Sequence, residues 1–335
     1  MLKIAILEAS HWHVPMYLPG LDPTKVKVVA VSDRQNAKGR KIACQFSARY
    51  YQDYDELLAK EDIDFAFAFG RACDMSTIVT KLVDMNIPFS VEKPAGVNAE
   101  HLAAVQIAAH QKGLFNSVPL IQRNGALFQN LKELADTWTH MSFRFIAGPL
   151  ARYELAECPW MLDKAQSAGG CTINLAVHFI DLLHCLTGDE IATVSAQMTT
   201  DTSLANVEIF SSLCLMTTSG TICNIETGYT FPGDMTAQRE FSFSLASDNH
   251  YVRSNLNGMQ VAKRGATAPS DIIFDMETDD YYADYARDVL TTFENNQPAD
   301  ADLFALKRVM TVIDLAYASA SQGGVLLSNT SLKST

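Results

Sequence analysis

No stretch of these 335 residues reaches the ~18 consecutive apolar residues that a membrane-spanning helix requires. The apolar run at the start, Leu2 to Leu7, is too short for a secretory leader. No membrane partner is expected, and a cytoplasmic location is the default. Positive charge is scarce: 26 Lys and Arg stand against 38 Asp and Glu, a net charge of -12. The long-range field therefore repels nucleic acid rather than gathering it, and no nucleic-acid partner is expected. The seven cysteines (Cys44, Cys73, Cys158, Cys171, Cys185, Cys214, Cys223) are odd in number and lack C-x-x-C spacing. They read as buried free thiols in a reducing compartment, not as a disulfide framework. Internal repeats, low-complexity tracts and flexible linkers are also missing. What is present is 48% hydrophobic and 19% charged, enough to bury a large core without staples, at a length suited to two domains.

In the first third, short apolar runs alternate with amphipathic stretches. Lys3 to Leu7, Val26 to Val31, Phe65 to Phe69 and Pro88 to Val91 read as strands buried on both faces. Asp53 with Glu56 three residues on resembles a capping box that opens one of the helices between them. Strand, helix, strand, helix implies βαβ units and a parallel sheet. Beyond about residue 138 the pattern changes to alternation, as in 143–145, 207–209 and 241–245, which signals strands with one wet face. Ser219-Gly220 marks a hairpin turn. Helices are predicted at Tyr281–Asn295 and at Leu303–Ser321, the latter carrying Leu303, Leu306, Met310, Ile313 and Tyr317 on one stripe and stopping at Gly323-Gly324. The fold class is α/β. Residues 1–122 form a Rossmann-type dinucleotide domain, and residues 123–335 an α+β domain on a mainly antiparallel sheet that binds substrate and mediates oligomerisation. A cleft is expected where the two meet.

Ligands of such sheets bind beyond the carboxyl ends of the strands. The first turn there is Glu8-Ala9-Ser10-His11-Trp12-His13. Some 25 residues after Glu8 the second strand ends in Ser32-Asp33-Arg34, where an acidic side chain would receive the ribose hydroxyl of NAD. The glycines of G-x-G-x-x-G are absent: Glu8, Ser10 and His13 stand in their places, and a carboxylate at Glu8 would repel a pyrophosphate. His11 and His13 could donate to phosphate and Trp12 could cover the nucleotide, or all three could simply pack the turn. No third ligand accompanies the His-x-His pair, so no metal is expected. A helix cap is the lesser alternative for Asp33.

Two further constellations bear on chemistry. Glu92-Lys93-Pro94 ends a buried strand and places a lysine in the crevice, with Pro94 fixing its direction and allowing a cis bond; a structural salt bridge is the alternative. After Gly169-Gly170, residues Ile173 to Leu186 read as a helix with Asn174, His178 and Asp181 at i, i+4 and i+7, a polar line between two apolar stripes. Such a line on a buried helix serves a ligand or a network, and His178 could be a satisfied core histidine.

In order and spacing these motifs resemble the Gfo/Idh/MocA family, over nearly the whole chain. The residues that carry the resemblance are Glu92 to Pro94, the segment Gly169 to Asp181, and the final pattern through Gly323-Gly324-Val325. The resemblance implies NAD or NADP as cofactor and hydride transfer at a hydroxyl-bearing carbon of a small sugar-like or polyol substrate. Lys93 would hydrogen-bond the reacting oxygen and His178 would act as acid or base. Asn174 replaces the family's aspartate and can orient a substrate but not take its proton. Gly70-Arg71-Ala72 replaces the usual Thr-Pro-Asn, with Arg71 placed to pair with a phosphate. Cofactor contacts are thus expected from Glu8, Ser10, His11, Trp12, His13, Asp33, Arg34, Gly70, Arg71 and Glu92. Arg123, Trp160 and Asp181 are candidates for substrate contact, and Lys93, His178 and Asn174 for catalysis. A homodimer or homotetramer is expected through the exposed face of the second sheet. A non-catalytic binding or regulatory protein that keeps the fold is the alternative from another class, and non-redox chemistry on a sugar is a third.

Overall fold

The computed structural model describes residues 1–330 apart from 36, 135–136, 201–204 and 234–238. Its first sheet contains β1 (Leu2–Leu7), β2 (Val26–Ser32), β3 (Arg49–Tyr51), β4 (Phe65–Ala68), β5 (Phe89–Val91) and β6 (Asn116–Ser117). They pair in parallel in the order β3-β2-β1-β4-β5-β6. Helices cover both faces, so Ile4 to Leu7 and all of β4 are buried, as continuous apolar strands must be. The helix Ala72–Asp84, for example, turns Met75, Ile78, Val79 and Leu82 inward. Strand order reverses between β1 and β4, and the crevice at that switch point is where Rossmann sheets take ligands. Asp53 caps its helix by accepting from Asp55 N at 2.6 Å, while Glu56 pairs with Lys60 and takes no part in the cap.

The second sheet contains β7 (Trp138–Ala147), β8 (Ile191–Thr200), β9 (Glu208–Thr217), β10 (Ile222–Gly228), β11 (Arg239–Ser247), β12 (His250–Asn255), β13 (Gly258–Lys263), β14 (Ser270–Ile273) and β15 (Leu327–Ser328). Their order is β14-β13-β12-β11-β7-β10-β9-β8-β15, antiparallel except where β7 meets β10. The expected hairpin joins β9 to β10, with Gly220 at φ +96°. One face of this sheet is covered by the helices Val177–Thr187 and Leu303–Ser321, the latter burying Leu303, Leu306, Met310 and Ile313.

Three expectations need correction. Cys44 and Cys214 are exposed, so the free thiols are not uniformly buried; each lies on the outward side of its own amphipathic element. Residues 164–187 form a helical run long and apolar enough to cross a membrane, which the count of consecutive apolar residues overlooked, and here it is largely buried in the protein core. The helix Tyr281–Glu294, although late in the chain, packs Tyr282, Tyr285, Ala286, Val289 and Leu290 into the same core as Ile4, Val14, Tyr17 and Phe65. Residue 122 therefore does not separate the two cores.

Candidate active site at the domain junction

The chain leaves β1 through Glu8, whose φ of +58° lies in the left-handed region that favours glycine. The backbone of a glycine turn is kept while the glycine is not. Glu8 N donates to Ser32 Oγ at 3.3 Å, and its buried carboxylate pairs through Oε2 with Arg34 Nε at 3.2 Å. Oε1 has no partner. Burial, opposed by Arg34, pushes the Glu8 carboxyl up to about 7, so a large fraction is neutral near physiological pH and the expected repulsion of an anion is softened.

Glu8, Ser10, His11, Arg34, Gly70, Arg71 and Trp160 surround a cavity of about 170 Å³. Arg71 donates to Asp74 from the same helix and, across the cleft, to Gln166, both at 2.7 Å. Asp33 is fully buried, and its carboxylate accepts from Gln35 N at 3.1 Å and Gly39 N at 2.8 Å. It caps the following helix, so both oxygens expected to meet a ribose are engaged. His11 packs 5.5 Å from the Trp160 ring, centroid to centroid; burial drives the His11 imidazole down to about 3 and that of His13 well below its usual range. Both rings are neutral. His13 Nδ1 lies 3.1 Å from Glu92 Oε1 without hydrogen-bond alignment, and the Trp12 ring lies 3.9 Å from that of His13, tilted by 47°. Among the described residues no three His, Cys, Asp or Glu side chains cluster as a metal site would need.

The donors at this turn fit a nicotinamide dinucleotide. Arg34 and Arg71 offer guanidiniums, which suit phosphate oxygens, and Glu8 Oε1, without a partner among the described residues, is open to a ribose hydroxyl as acceptor, or as donor when protonated.

Glu92 leads out of β5, its N–H bonded to Ala68 O, and its carboxylate accepts from Tyr17 Oη at 2.7 Å. The Lys93–Pro94 bond is cis. The ammonium of Lys93 is buried and crosses to the second domain, donating to Asn174 Oδ1 at 2.6 Å and Asn174 O at 2.9 Å. Asn174 is held in turn by its Nδ2, which donates to Tyr153 Oη at 3.0 Å and Tyr229 Oη at 2.9 Å. Burial lowers Lys93 to about 8, with Glu92 opposing and Arg152 assisting.

The turn Thr172–Ala176 is π-helical and passes into the helix Val177–Thr187; π turns of this kind recur at functional sites. Asn174 and His178 both face a cavity of about 50 Å³ shared with Lys93. His178 is buried, its Nδ1 has no partner, and burial plus the Lys93 charge keep its ring neutral.

Asp181, the third member of the polar line, does not join them. It forms a two-pronged ion pair with Arg123, at 2.7 Å to Nε and 2.5 Å to Nη2, and neither residue lines the Lys93 cavity. Trp160 lines both the cavity at the nucleotide turn and a smaller one that it shares with Lys93 and Asn174. The Lys93 cavity is completed by residues that carried no sequence motif, among them Gln122, Arg152, Arg239, Asp279 and Tyr282.

A Rossmann sheet and a mixed-sheet domain that meet over a lysine–histidine cavity define a two-domain oxidoreductase architecture. Residues 9–119 match the oxidoreductase family with an NAD-binding Rossmann fold, and residues 132–247 match the GFO/IDH/MocA C-terminal domain. The chain belongs to the Gfo/Idh/MocA family of NAD-binding oxidoreductases.

Three solved structures share the fold. An oxidoreductase from Agrobacterium radiobacter, in complex with NAD+, L-tartaric acid and magnesium, has a TM-score of 0.86 at 15% identity, covering 99% of both chains. Levoglucosan dehydrogenase, in complex with NADH and levoglucosan, gives 0.83 at 14% over 98% of each. GenD2 from gentamicin A biosynthesis, in complex with NAD, gives 0.81 at 20% over 98% of this chain and 96% of its own. No curated protein sequence matches the chain.

Proposed function

We propose that this chain is an NAD(P)-dependent dehydrogenase or reductase that interconverts a hydroxyl-bearing carbon and its carbonyl on a small sugar-like or polyol substrate. The observation that carries the reading is the convergence of Lys93, from the end of β5, and His178, from the second domain, on one cavity. Arg34, Arg71 and Glu8 would hold the dinucleotide, which when bound supplies the hydride acceptor or donor. Lys93 donates a hydrogen bond to the reacting oxygen from Nζ. The neutral ring of His178 takes the hydroxyl proton during oxidation and returns it during reduction. Asn174 fixes the direction of Lys93 Nζ. That levoglucosan dehydrogenase shares the fold supports the sugar-like class.

Titration with NADH and NADPH, followed by nicotinamide fluorescence, tests the cofactor. Reduction of NAD+ or NADP+ at the expense of a panel of sugars and polyols tests the reaction. Saturable binding with turnover of a panel member supports the reading, and absence of binding by either nucleotide overturns it.

Copies of the chain would associate through the open face of the second sheet. There Met216, Ile222 and Tyr251 are exposed on strands whose other face is covered. Light scattering that returns a homodimer or homotetramer supports this, and a monomer rejects it.

A further inference from the structure

The Lys93 cavity is rich in hydrogen-bond donors that nothing accepts. Trp12 Nε1, Arg152 Nε and Arg239 Nε all belong to residues that line it, all three atoms are buried, and none has a partner among the described residues. Indole and guanidinium nitrogens donate only, so each needs an acceptor from elsewhere. The charges point the same way. Arg239 is already compensated, because it donates to both carboxylate oxygens of Asp279, at 2.9 and 2.7 Å.

Arg152 has no ion pair among the described residues, and the Asp279 carboxylate acts on it only from a distance. Its contacts among the described residues are the Tyr153 hydroxyl at 3.1 Å and the Trp12 and Tyr153 rings at 5.1 and 4.9 Å. Among the described residues no carboxylate lies within ion-pair distance of it. Lys93 adds a second cation whose hydrogen bonds go to an uncharged amide. A mostly buried guanidinium without a paired anion is costly, and its own unpartnered Nε, with the Trp12 and Arg239 donors beside it, calls for an acceptor that carries negative charge.

We propose that the substrate is a sugar acid or related hydroxy acid, and that Arg152 receives its carboxylate with Trp12 and Arg239 as flanking donors. The inference rests on the oxidoreductase reading above and narrows its substrate class. Carboxylate suits the site better than phosphate, which brings close to two charges and three acceptor oxygens to one uncompensated guanidinium. Arg152 thereby becomes a specificity-determining residue, distinct in role from Lys93 and His178, which act on the reacting hydroxyl.

The test uses matched probes: D-gluconate against sorbitol, D-glucuronate against D-glucose, and D-glucose 6-phosphate as the phosphate arm. Binding is read by thermal shift and calorimetry with NADH present, and turnover by nicotinamide absorbance. At least one acid is expected to bind ten- to a hundredfold more tightly than its neutral partner, the range for a charge-assisted hydrogen bond. Arg152→Gln should erase that preference while NADH affinity stays, and Arg152→Lys should keep part of it. Circular dichroism confirms that both variants fold. Three results overturn the inference: equal binding of acids and neutral partners, preference for the phosphate ester, or an acid preference that survives Arg152→Gln. NADH that fails to bind at all sinks the oxidoreductase reading instead, and acid binding without NADH still reports on Arg152.

Discussion

Lys93 Nζ donates across the domain junction to two oxygens of one residue, Asn174 Oδ1 and Asn174 O. The amide aims the ammonium without adding negative charge, so burial is free to hold Lys93 at about 8. If the protonated form donates to the reacting oxygen, activity falls as pH rises through about 8. Asn174→Asp sets a carboxylate at the same place, and an opposite charge at that range raises the lysine by roughly one to three units. The alkaline limb of the pH–rate profile should move up accordingly, while the Tyr153 and Tyr229 hydroxyls turn from acceptors to donors. An unmoved limb would show that Lys93 is not the titrating group.

Removing the proton-handling groups should separate chemistry from binding. Lys93→Met and His178→Ala are each expected to lower kcat on the order of 10²- to 10⁴-fold, with NADH affinity within about twofold of wild type. Stopped-flow turnover beside fluorescence titration reads the two quantities separately. A loss of NADH affinity as large as the loss in kcat would place these residues in cofactor binding.

Glu8 ties the nucleotide turn to stability. Its carboxyl titrates at about 7 when folded and at about 4.5 when unfolded, so between those values the folded state holds more protons and stability falls as pH rises. The penalty is absent below 4.5 and complete above 7, of the order of 3 kcal/mol for such a shift. Glu8→Gln should remove this dependence and raise Tm at pH 8 more than at pH 5. Equal gains at the two pH values would contradict the burial argument.

Arg123→Ala leaves the Asp181 carboxylate buried and unpaired. Breaking a buried pair from one side costs about 3 to 5 kcal/mol, which denaturant unfolding would detect. Because the pair lies outside the Lys93 cavity, the KM for substrate should hold in the folded fraction. A raised KM with unchanged stability would return Arg123 to substrate contact.

The first sheet was readable from sequence because β1 and β4 are short apolar runs between amphipathic stretches, a pattern set by burial on both faces. Glu92-Lys93-Pro94 and the Asn174–His178 pair were readable because local spacing alone sets them. The reading went astray where geometry departs from a period or a partner comes from afar. The π turn Thr172–Ala176 breaks the 3.6-residue spacing that would align Asp181 with Asn174, and Arg123 claims Asp181 from another part of the chain. Asp33 carries both a ribose-binding and a capping signal in the sequence, and in the structure its two oxygens accept from the Gln35 and Gly39 N–H groups. Arg152, Arg239 and Asp279 reach the cavity from segments without a distinguishing motif, so only the fold assembles them.

The packing of helix Tyr281–Glu294 against β1 and the helix after it also governs how the molecule comes apart. The first sheet's core is finished only when a segment from beyond residue 280 returns to it, so a fragment ending at residue 122 would leave Val14 and Tyr17 without their cover. The two halves thereby share part of one core, and calorimetry is expected to show them melting together rather than in two separate steps. The dinucleotide-binding half cannot be studied by truncation, only within the full chain.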